Sequence, residues 1–269
     1  MCVYCFEVAA DPSLDTRSTE MHLLRVAQCL GAVRRSIHGT RLFRRVVYRL
    51  HPLVRLYFTV ATEFRYWTQL RMKGIHPRNT YSTDPKNIQQ LLAPNSPFSV
   101  ANSGEIHDGD WDLRARPFDD YLIYNSLKNR FVHGYEWDET EQFQQARETI
   151  YAGESCWHGC RSLSGLNARC SYLDELYTDI DENGYTPQSE LTVRRHENAC
   201  LYPPSLREIS VAIGRDGELI LLDGRHRLSI VKIVGVDRIP IQIAIVHAEW
   251  DGGLPAGVAE RTPGSSIPP

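Results

Sequence analysis

Isoleucine occupies every second position from Ile239 to Ile245, and the positions between hold proline, glutamine and alanine. A period of two residues is typical of a β-strand, because successive side chains of a strand point to opposite faces of the sheet. On a helix the same residues would be spread around the whole circumference. The stretch therefore predicts a strand with one buried face, and the rest of the chain must supply the sheet and the layer that covers it.

The residues before this strand have the pattern strand, turn, strand, helix. Apolar residues alternate over 209–213, Asp216-Gly217 is a typical turn sequence, and the apolar run 219–222 predicts a second strand. The apolar spacing in 225–234 predicts a short helix that Gly235 ends.

Upstream of these strands, the apolar spacing predicts helices. They are expected at about 22–37, at about 41–50, from Pro52 to near Gly74, at about 85–92, from Asp138 to Gly153, and from Leu166 to Ile180 with a stop at Asn183-Gly184. The helix that begins at Pro52 has one apolar face, made by Leu53, Tyr57, Val60, Phe64 and Trp67.

Together these patterns predict an α+β fold with a mainly helical N-terminal region. We divide the chain into a basic amphipathic helical region at 1–75, a linker and helical region at 76–165, an α/β domain at 166–250 and a tail at 251–269. The tail is rich in glycine, proline and serine, and we expect it to be disordered.

Composition limits the class of protein. The sequence has no stretch that approaches the ~18 consecutive apolar residues of a membrane span. The first 20 residues carry four acids and lack a secretory pattern, so we expect a soluble cytoplasmic protein, either free or peripheral to a membrane. The seven cysteines are expected to be free thiols. A tetrahedral zinc site needs four ligands, usually as two spaced pairs; Cys2/Cys5 stands in a terminal segment that we expect to be flexible, and Cys156/Cys160 lacks a standard spacing.

The charge of the chain is unevenly distributed. Residues 22–75 hold eleven Lys and Arg and a single acid, Glu63, for a net charge of +10, whereas the whole chain carries -3. Three interpretations of this segment stay open. Its helices pack an apolar stripe on the rest of the protein with solvated arginines, or bind an anionic membrane surface, or bind nucleic acid.

The segment DGRHR at 223–227 has the features of a phosphate-binding site. The first turn of a helix has unpaired N–H groups and a partial positive charge. Gly224 would let an anion approach the backbone, and Arg227 could hold two phosphate oxygens at once. Arg225 and His226 would add positive charge or hydrogen-bond donors. Alone, the string fits a helix that begins with solvated basic residues equally well.

The wider context resembles the ParB/sulfiredoxin-like superfamily. The residues that carry the resemblance are LDELYTDIDENGYTPQSEL at 173–191, two strands, and DGRHRLSIVKIVGVDRIPIQIAIV at 223–246. Gly224 and Arg227 match the Gly-x-x-Arg helix start of that family, and 235–241 matches its next turn and strand. The resemblance covers 171–247, with an apparent insertion at 191–207. The whole chain, with GDWD at 109–112 and Trp137 ahead of this part, resembles ParB-like proteins of archaeal and viral type.

Branches of this superfamily differ in the residues after the glycine. Sulfiredoxins have Gly-Cys-His-Arg, and here Arg225 stands at the position of the nucleophilic cysteine, so we expect no sulfiredoxin activity. ParB clamps have Gly-Glu-Arg-Arg and a following helix-turn-helix domain, for which the residues after 250 are too few, so we do not expect DNA clamping. ParB-like free-serine kinases have Asp-Gly-His-His-Arg, of which Asp223, Gly224, His226 and Arg227 are present.

The resemblance implies a nucleotide ligand (ATP, ADP or CTP) with Mg²⁺, and an NTP-dependent phosphotransferase or nucleotidase that acts on a small hydroxyl substrate. Such an enzyme needs a carboxylate that accepts a hydroxyl proton or holds Mg²⁺. Asp223 is the first candidate for both roles, and Glu208 is the second candidate for catalysis. Their structural alternatives are a helix cap and a solvated strand end.

An alternative function is a nucleotide-gated binding module that docks to an anionic membrane, to nucleic acid or to a protein partner. Turnover of nucleotide would distinguish the two classes. Trp111, between Asp110 and Asp112, is either a wall of a substrate site or a core residue.

Overall fold

The computed structural model describes residues 41–188, 190–191 and 202–261. Over these ranges the chain is a mixed α/β structure with five α-helices and one mixed sheet. The helices are α1 (Arg41–Thr68), α2 (Leu122–Phe131), α3 (Glu141–Tyr151), α4 (Leu163–Asn183) and α5 (Arg225–Val234). The strands are β1 (Tyr81–Thr83), β2 (Ile88–Leu91), β3 (Glu105–His107), β4 (Arg116–Pro117), β5 (Ile209–Ile213), β6 (Leu219–Asp223), β7 (Ile239–His247) and β8 (Ala259–Glu260).

The sheet is built around the three strands that the sequence predicted. Its order is β4, β2, β6, β5, β7, β1, β8. Strand β5 is antiparallel to β6 and parallel to β7. The first residues of β7 pair with β1 and its last residues pair with β3, so one edge of β7 has two partners in succession.

All nine residues of β7 are buried, so the prediction of a single buried face was wrong. The reason is that both faces of the sheet are covered. On one face, Ile209, Val211 and Ile241 belong to a core that also includes residues of α2, α3, α4 and α5. On the other face, a smaller cluster that includes Ala212 and Ala244 is covered by loop residues that include Phe98 and Trp111.

The elements around the candidate phosphate turn agree with the sequence. Helix α5 ends at Gly235, which has φ 85, as predicted. Helix α4 starts earlier than predicted, because the side chain of Ser162 accepts a hydrogen bond from the N–H of Gly165. It ends, as predicted, at Asn183-Gly184.

Helix α1 departs from the sequence prediction. The expected break before Pro52 is absent, and a single helix runs from Arg41 to Thr68. A proline removes one backbone hydrogen bond, and the turns on both sides of it keep theirs. A short 3₁₀ helix, Leu70–Lys73, follows and ends at Gly74. Within the described residues, no helix, α1 included, combines the length and the apolar content that a membrane crossing requires.

The predicted linker at 76–165 supplies β1 to β4, which pair in the same sheet as β5 to β7. The helix expected at 85–92 is a 3₁₀ turn followed by β2, which pairs with β6. In the expected disordered tail, Ala259 and Glu260 form β8 against β1. The helix expected at 22–37 and the residues after 261 lie outside the described ranges.

Candidate phosphate-binding site at the start of helix α5

Gly224 joins β6 to α5 in a left-handed conformation with φ +93. A Cβ atom at this position would lie 3.0 Å from the Cα of Ile209 in β5. Glycine is therefore required for the packing of the helix start against the sheet, with or without a ligand. The first helical hydrogen bond runs from the N–H of Leu228 to the carbonyl of Gly224, so the three N–H groups of residues 225–227 precede it.

The side chain of Arg227 is held by a buried polar cluster. Its Nη1 donates a hydrogen bond of 3.1 Å to the hydroxyl of Tyr185. That hydroxyl donates one of 3.1 Å to Oε2 of Glu208, and Oε1 of Glu208 accepts one of 2.5 Å from the backbone N–H of Gln188. Glu208 is only 2% exposed. The structural alternative, in which Glu208 is a solvated residue at the end of a strand, is therefore wrong.

The ionisation of this cluster follows from its burial and its charges. Burial raises the pKa of Glu208, although the positive charge of Arg227 and the N–H of Gln188 oppose the change. Burial also raises the pKa of Tyr185. Burial alone would lower the pKa of Arg227, but Tyr185 and Glu208 outweigh it, and Arg227 stays charged. We conclude that Glu208 positions Arg227 through Tyr185.

The ring of His226 lies between Trp157 and Arg169. Trp157 donates from Nε1 to Nε2 of His226 at 3.1 Å, and Nη2 of Arg169 lies 3.3 Å from Nδ1. Burial, followed by the charge of Arg169, lowers the pKa of His226 well below its usual value. The ring is therefore neutral. In this conformation the backbone N–H, rather than the ring, is the donor that His226 can offer an anion.

A second imidazole lies beside the first. The ring centroids of His158 and His226 are 4.9 Å apart, and Nη2 of Arg169 lies 3.1 Å from Nε2 of His158. Burial and the charge of Arg169 lower the pKa of His158 to about 3. Both imidazoles are thus kept neutral, first by burial and then by the positive charges beside them.

The loop 156–160 (CWHGC) brings Trp157 and His158 to the helix start. Cys156 and Cys160 exchange two backbone hydrogen bonds, of 2.9 and 2.8 Å, which close the loop. His158 has φ 63, a left-handed conformation that is uncommon outside glycine. Burial raises the pKa of both thiols, so they are protonated at neutral pH. Sequence periodicity missed this loop, and its one local signal was the glycine after His158.

Asp223 is exposed at the end of β6, where it pairs with Ser210 of β5. The N-cap of α5 is Gly224, and no side chain caps the helix, so Asp223 does not have the capping role considered as its alternative. Its carboxylate is among the charges that raise the pKa of Arg227. Arg225 lies with Cζ 5.9 Å from the ring centre of Tyr121 and forms no ion pair with a described residue.

An exposed carboxylate beside a phosphate site is compatible with Mg²⁺, which is commonly held by one or two carboxylates together with substrate phosphates and water. In the ranges that the structure describes, no group of three or more His, Cys, Asp or Glu residues is arranged to hold a metal ion. Among the described residues, Asp223 would therefore hold Mg²⁺ only together with ligands that a bound molecule or water supplies.

The GDWD segment lies at the opposite end of the β5–β6 hairpin. Asp112 is buried and accepts three hydrogen bonds of 2.8 to 3.0 Å from the backbone and the guanidinium of Arg215. Burial would raise the pKa of Asp112, but these bonds lower it to about 2. Trp111 packs with Phe98 and against His247. This segment therefore stabilises the turn between β5 and β6 through Arg215, and it is not part of the candidate site.

The structure thus brings Asp223, Gly224, Arg225, His226, Arg227 and Glu208 to one end of the sheet, and adds Tyr185, Trp157, His158 and Arg169. Searches of protein-family models, of curated proteins and of solved structures found no match to the chain. The ParB/sulfiredoxin resemblance therefore stays a prediction from the residues quoted above.

Proposed function

We propose that the start of α5 binds the phosphate groups of a nucleotide with Mg²⁺, and that the protein is a nucleotide-dependent phosphotransferase or nucleotidase. The observation that supports this most directly is the concentration of positive charge around His226. Nη2 of Arg169 lies 3.3 Å from its ring, Arg225 and Arg227 stand on either side of it in the first turn of α5, and the N–H groups of residues 225–227 belong to the same turn. A polyanion is the ligand that such an arrangement favours.

In this proposal the arginines have different roles. Arg227 is fixed by Tyr185 and Glu208, so it contributes a rigid charge. Arg225 is partly exposed on the first turn, where it can reach a phosphate without losing an ion pair to a described residue. The ParB-like motif at Gly224 and Arg227 supports a nucleotide over other phosphate compounds.

Asp223 is the group best placed for chemistry. It would either hold Mg²⁺, which would neutralise charge on the phosphates, or accept the proton of the acceptor hydroxyl. The hydroxyl oxygen bonds to the γ-phosphorus, the bond to the bridging oxygen breaks, and the nucleoside diphosphate leaves. Glu208 is a positioning residue in this scheme, because its carboxylate is buried and already accepts two hydrogen bonds.

Calorimetry with ATP, ADP, CTP and GTP in the presence of Mg²⁺ tests the binding step. Arg225→Ala should weaken the affinity about ten- to a hundred-fold, the expected loss of one charge-assisted contact. Arg71→Ala is a matched control. It replaces an exposed arginine that lies away from the candidate site. Its neighbour Lys73 donates to the carbonyls of Ala248 and Trp250, which follow the C-terminal end of β7, whereas Gly224 lies near the N-terminal end of that strand. Failure of all four nucleotides to bind, or equal binding by Arg225→Ala, would exclude the phosphate site.

Turnover is tested separately. With free serine as the first acceptor, wild type should release nucleoside diphosphate in proportion to phosphorylated product. Asp223→Asn should abolish this turnover and keep nucleotide affinity within a few-fold. Tight binding with no turnover on a panel of small hydroxyl compounds would remove the phosphotransferase proposal and leave the phosphate site standing.

A further inference from the structure

Helix α1 packs on the protein through a different face from the one that its sequence spacing marked as apolar. Among residues 52–68 of the helix, whose side chains the structure describes, Phe58, Thr62 and Arg65 are buried. Phe58 lies in a core cluster with Val100 and Leu206, and Arg65 forms an ion pair of 3.0 Å with a glutamate of β3. Of the predicted stripe, Tyr57 packs against this cluster, whereas Leu53, Val60, Phe64 and Trp67 are exposed, so most of the stripe does not pack on the rest of the protein.

The outward face of α1 has a line of large apolar side chains. Their exposed fractions lie between 58% and 65%, and they are Leu53, Leu56, Val60, Phe64 and Trp67. The spacing of three, four, four and three residues aligns them along one face of the helix. A contiguous exposed apolar face of this kind is typical of a docking surface, whereas single exposed apolar residues are ordinary.

The stretch of sequence that carries this outward stripe is basic. From Arg41 to Arg55 the sequence has five arginines and no acid. The one acid between 41 and 75 is Glu63, and its carboxylate pairs with Arg78 at 2.6 Å and lies 3.4 Å from a histidine. At the other end of the stripe, Cζ of Arg71 lies 4.7 Å from the ring centre of Trp67. The next residue, Met72, is 92% exposed.

We propose that the outward face of α1 docks on an anionic lipid bilayer, with the stripe in the acyl boundary and the arginines at the headgroups. Leucine, phenylalanine and tryptophan on one face of a basic helix are typical of helices that lie in the membrane interface. Nucleic acid would neutralise the arginines but leave the apolar stripe in water. A second copy of the chain would bring two arginine-rich helices together. The proposal does not depend on the nucleotide site.

Sedimentation of the full chain with vesicles tests the proposal. Vesicles of phosphatidylcholine mixed with phosphatidylserine should bind the protein, and vesicles of phosphatidylcholine alone should bind it much less. Raising the salt concentration should weaken binding. Phe64→Ser combined with Trp67→Ser should lower the partition coefficient at least tenfold, since it removes two aromatic side chains from the acyl boundary. Trp67→Phe should keep most of the binding.

The matched control is Leu113→Ser with Tyr151→Ser, which removes two apolar side chains of similar exposure, 65% and 70%, outside α1. All changes are at exposed positions, and equal thermal stability of the variants would confirm that they fold. The proposal is overturned if the chain does not bind mixed vesicles, if it binds both vesicles equally, or if the stripe variant binds as wild type does. Two other results would also overturn it. In the first, wild type does not bind vesicles but forms a dimer in light scattering, and the stripe variant is a monomer. In the second, wild type does not bind vesicles but binds duplex DNA, and the stripe variant binds the DNA equally well.

Discussion

The hydroxyl of Tyr185 donates a hydrogen bond of 3.1 Å to the carboxylate of Glu208, and both side chains are almost fully buried. Because Arg227 donates to the same hydroxyl, the tyrosine links a carboxylate to a guanidinium. A residue at a helix start would ordinarily be replaceable at little cost. Here its removal would leave a buried carboxylate without its counter-charge, so Arg227→Ala tests stability as well as binding.

Tyr185→Phe should lower the free energy of unfolding by about 1–3 kcal/mol, because it removes one hydrogen bond each from Arg227 and Glu208. Urea denaturation measures the change. Tyr151→Phe, at an exposed position, should have almost no effect. Equal stability of the two variants would mean that the hydroxyl of Tyr185 does not contribute to the fold.

Gly224→Ala and Gly235→Ala separate backbone strain from packing. Both glycines have left-handed φ, but a Cβ at 235 would have no atom within 4 Å, whereas one at 224 would meet Ile209 at 3.0 Å. Gly235→Ala should cost roughly 1–2 kcal/mol of stability for the conformation alone. Gly224→Ala should cost more, since the helix start must also shift. The prediction fails if denaturation curves give equal losses.

The imidazole resonances of His226 should not titrate between about pH 8 and about pH 5, because its pKa is lowered by burial and by Arg169. The unfolded chain binds protons below about pH 6.5 and the folded ring does not, so stability should fall as the pH drops through that value. Addition of a nucleotide should raise the pKa of His226, since its negative charge favours the protonated ring. NMR titration with and without ATP measures both effects. A titration midpoint near the ordinary value in the free protein would contradict the neutral, buried ring.

Asp112→Asn should destabilise the protein by about 1.5–3 kcal/mol, because it weakens charge-assisted hydrogen bonds to Arg215 at a buried position. The pKa of Asp112 is lowered to about 2 in the folded state, below its unfolded value. Its contribution is therefore complete above about pH 4 and is lost as the pH falls towards about 2. Urea denaturation across this window should show a smaller change for Asp112→Asn than for wild type. Nucleotide affinity should be the same in both proteins, since this pair lies at the other end of the hairpin.

The sequence was sufficient to predict the strands, the turn and the helix that surround Gly224. The alternation in 239–245 and the glycines at 224 and 235 are local signals, and the structure agrees with the strand, turn and helix that they predict. Strands β1 to β4 were missed, because each has only two to four residues and so short a stretch carries no periodic pattern.

The candidate site was predictable only in part, for a related reason. Trp157 and Arg169 reach His226 across sequence separations of 69 and 57 residues, and no spacing rule connects them. The burial of Glu208 depends on Tyr185, which arrives from the end of α4. The sequence also did not predict that the apolar stripe of α1 faces outward, although the stripe itself follows a clear spacing rule. The spacing of Leu53, Val60 and Phe64 defines a face, but it does not say which side of the helix the rest of the protein covers.

The two successive partners of β7 have a consequence for how the protein folds during synthesis. Strands β1 and β3 hydrogen-bond to β7 and not to each other. On a translating ribosome, both would emerge long before the strand that they need, and β5 would also wait for its parallel neighbour. Completion of the sheet must therefore come late in synthesis, with slow, non-local pairing. Until then, the nascent chain has unpaired strands, which a chaperone would be expected to bind.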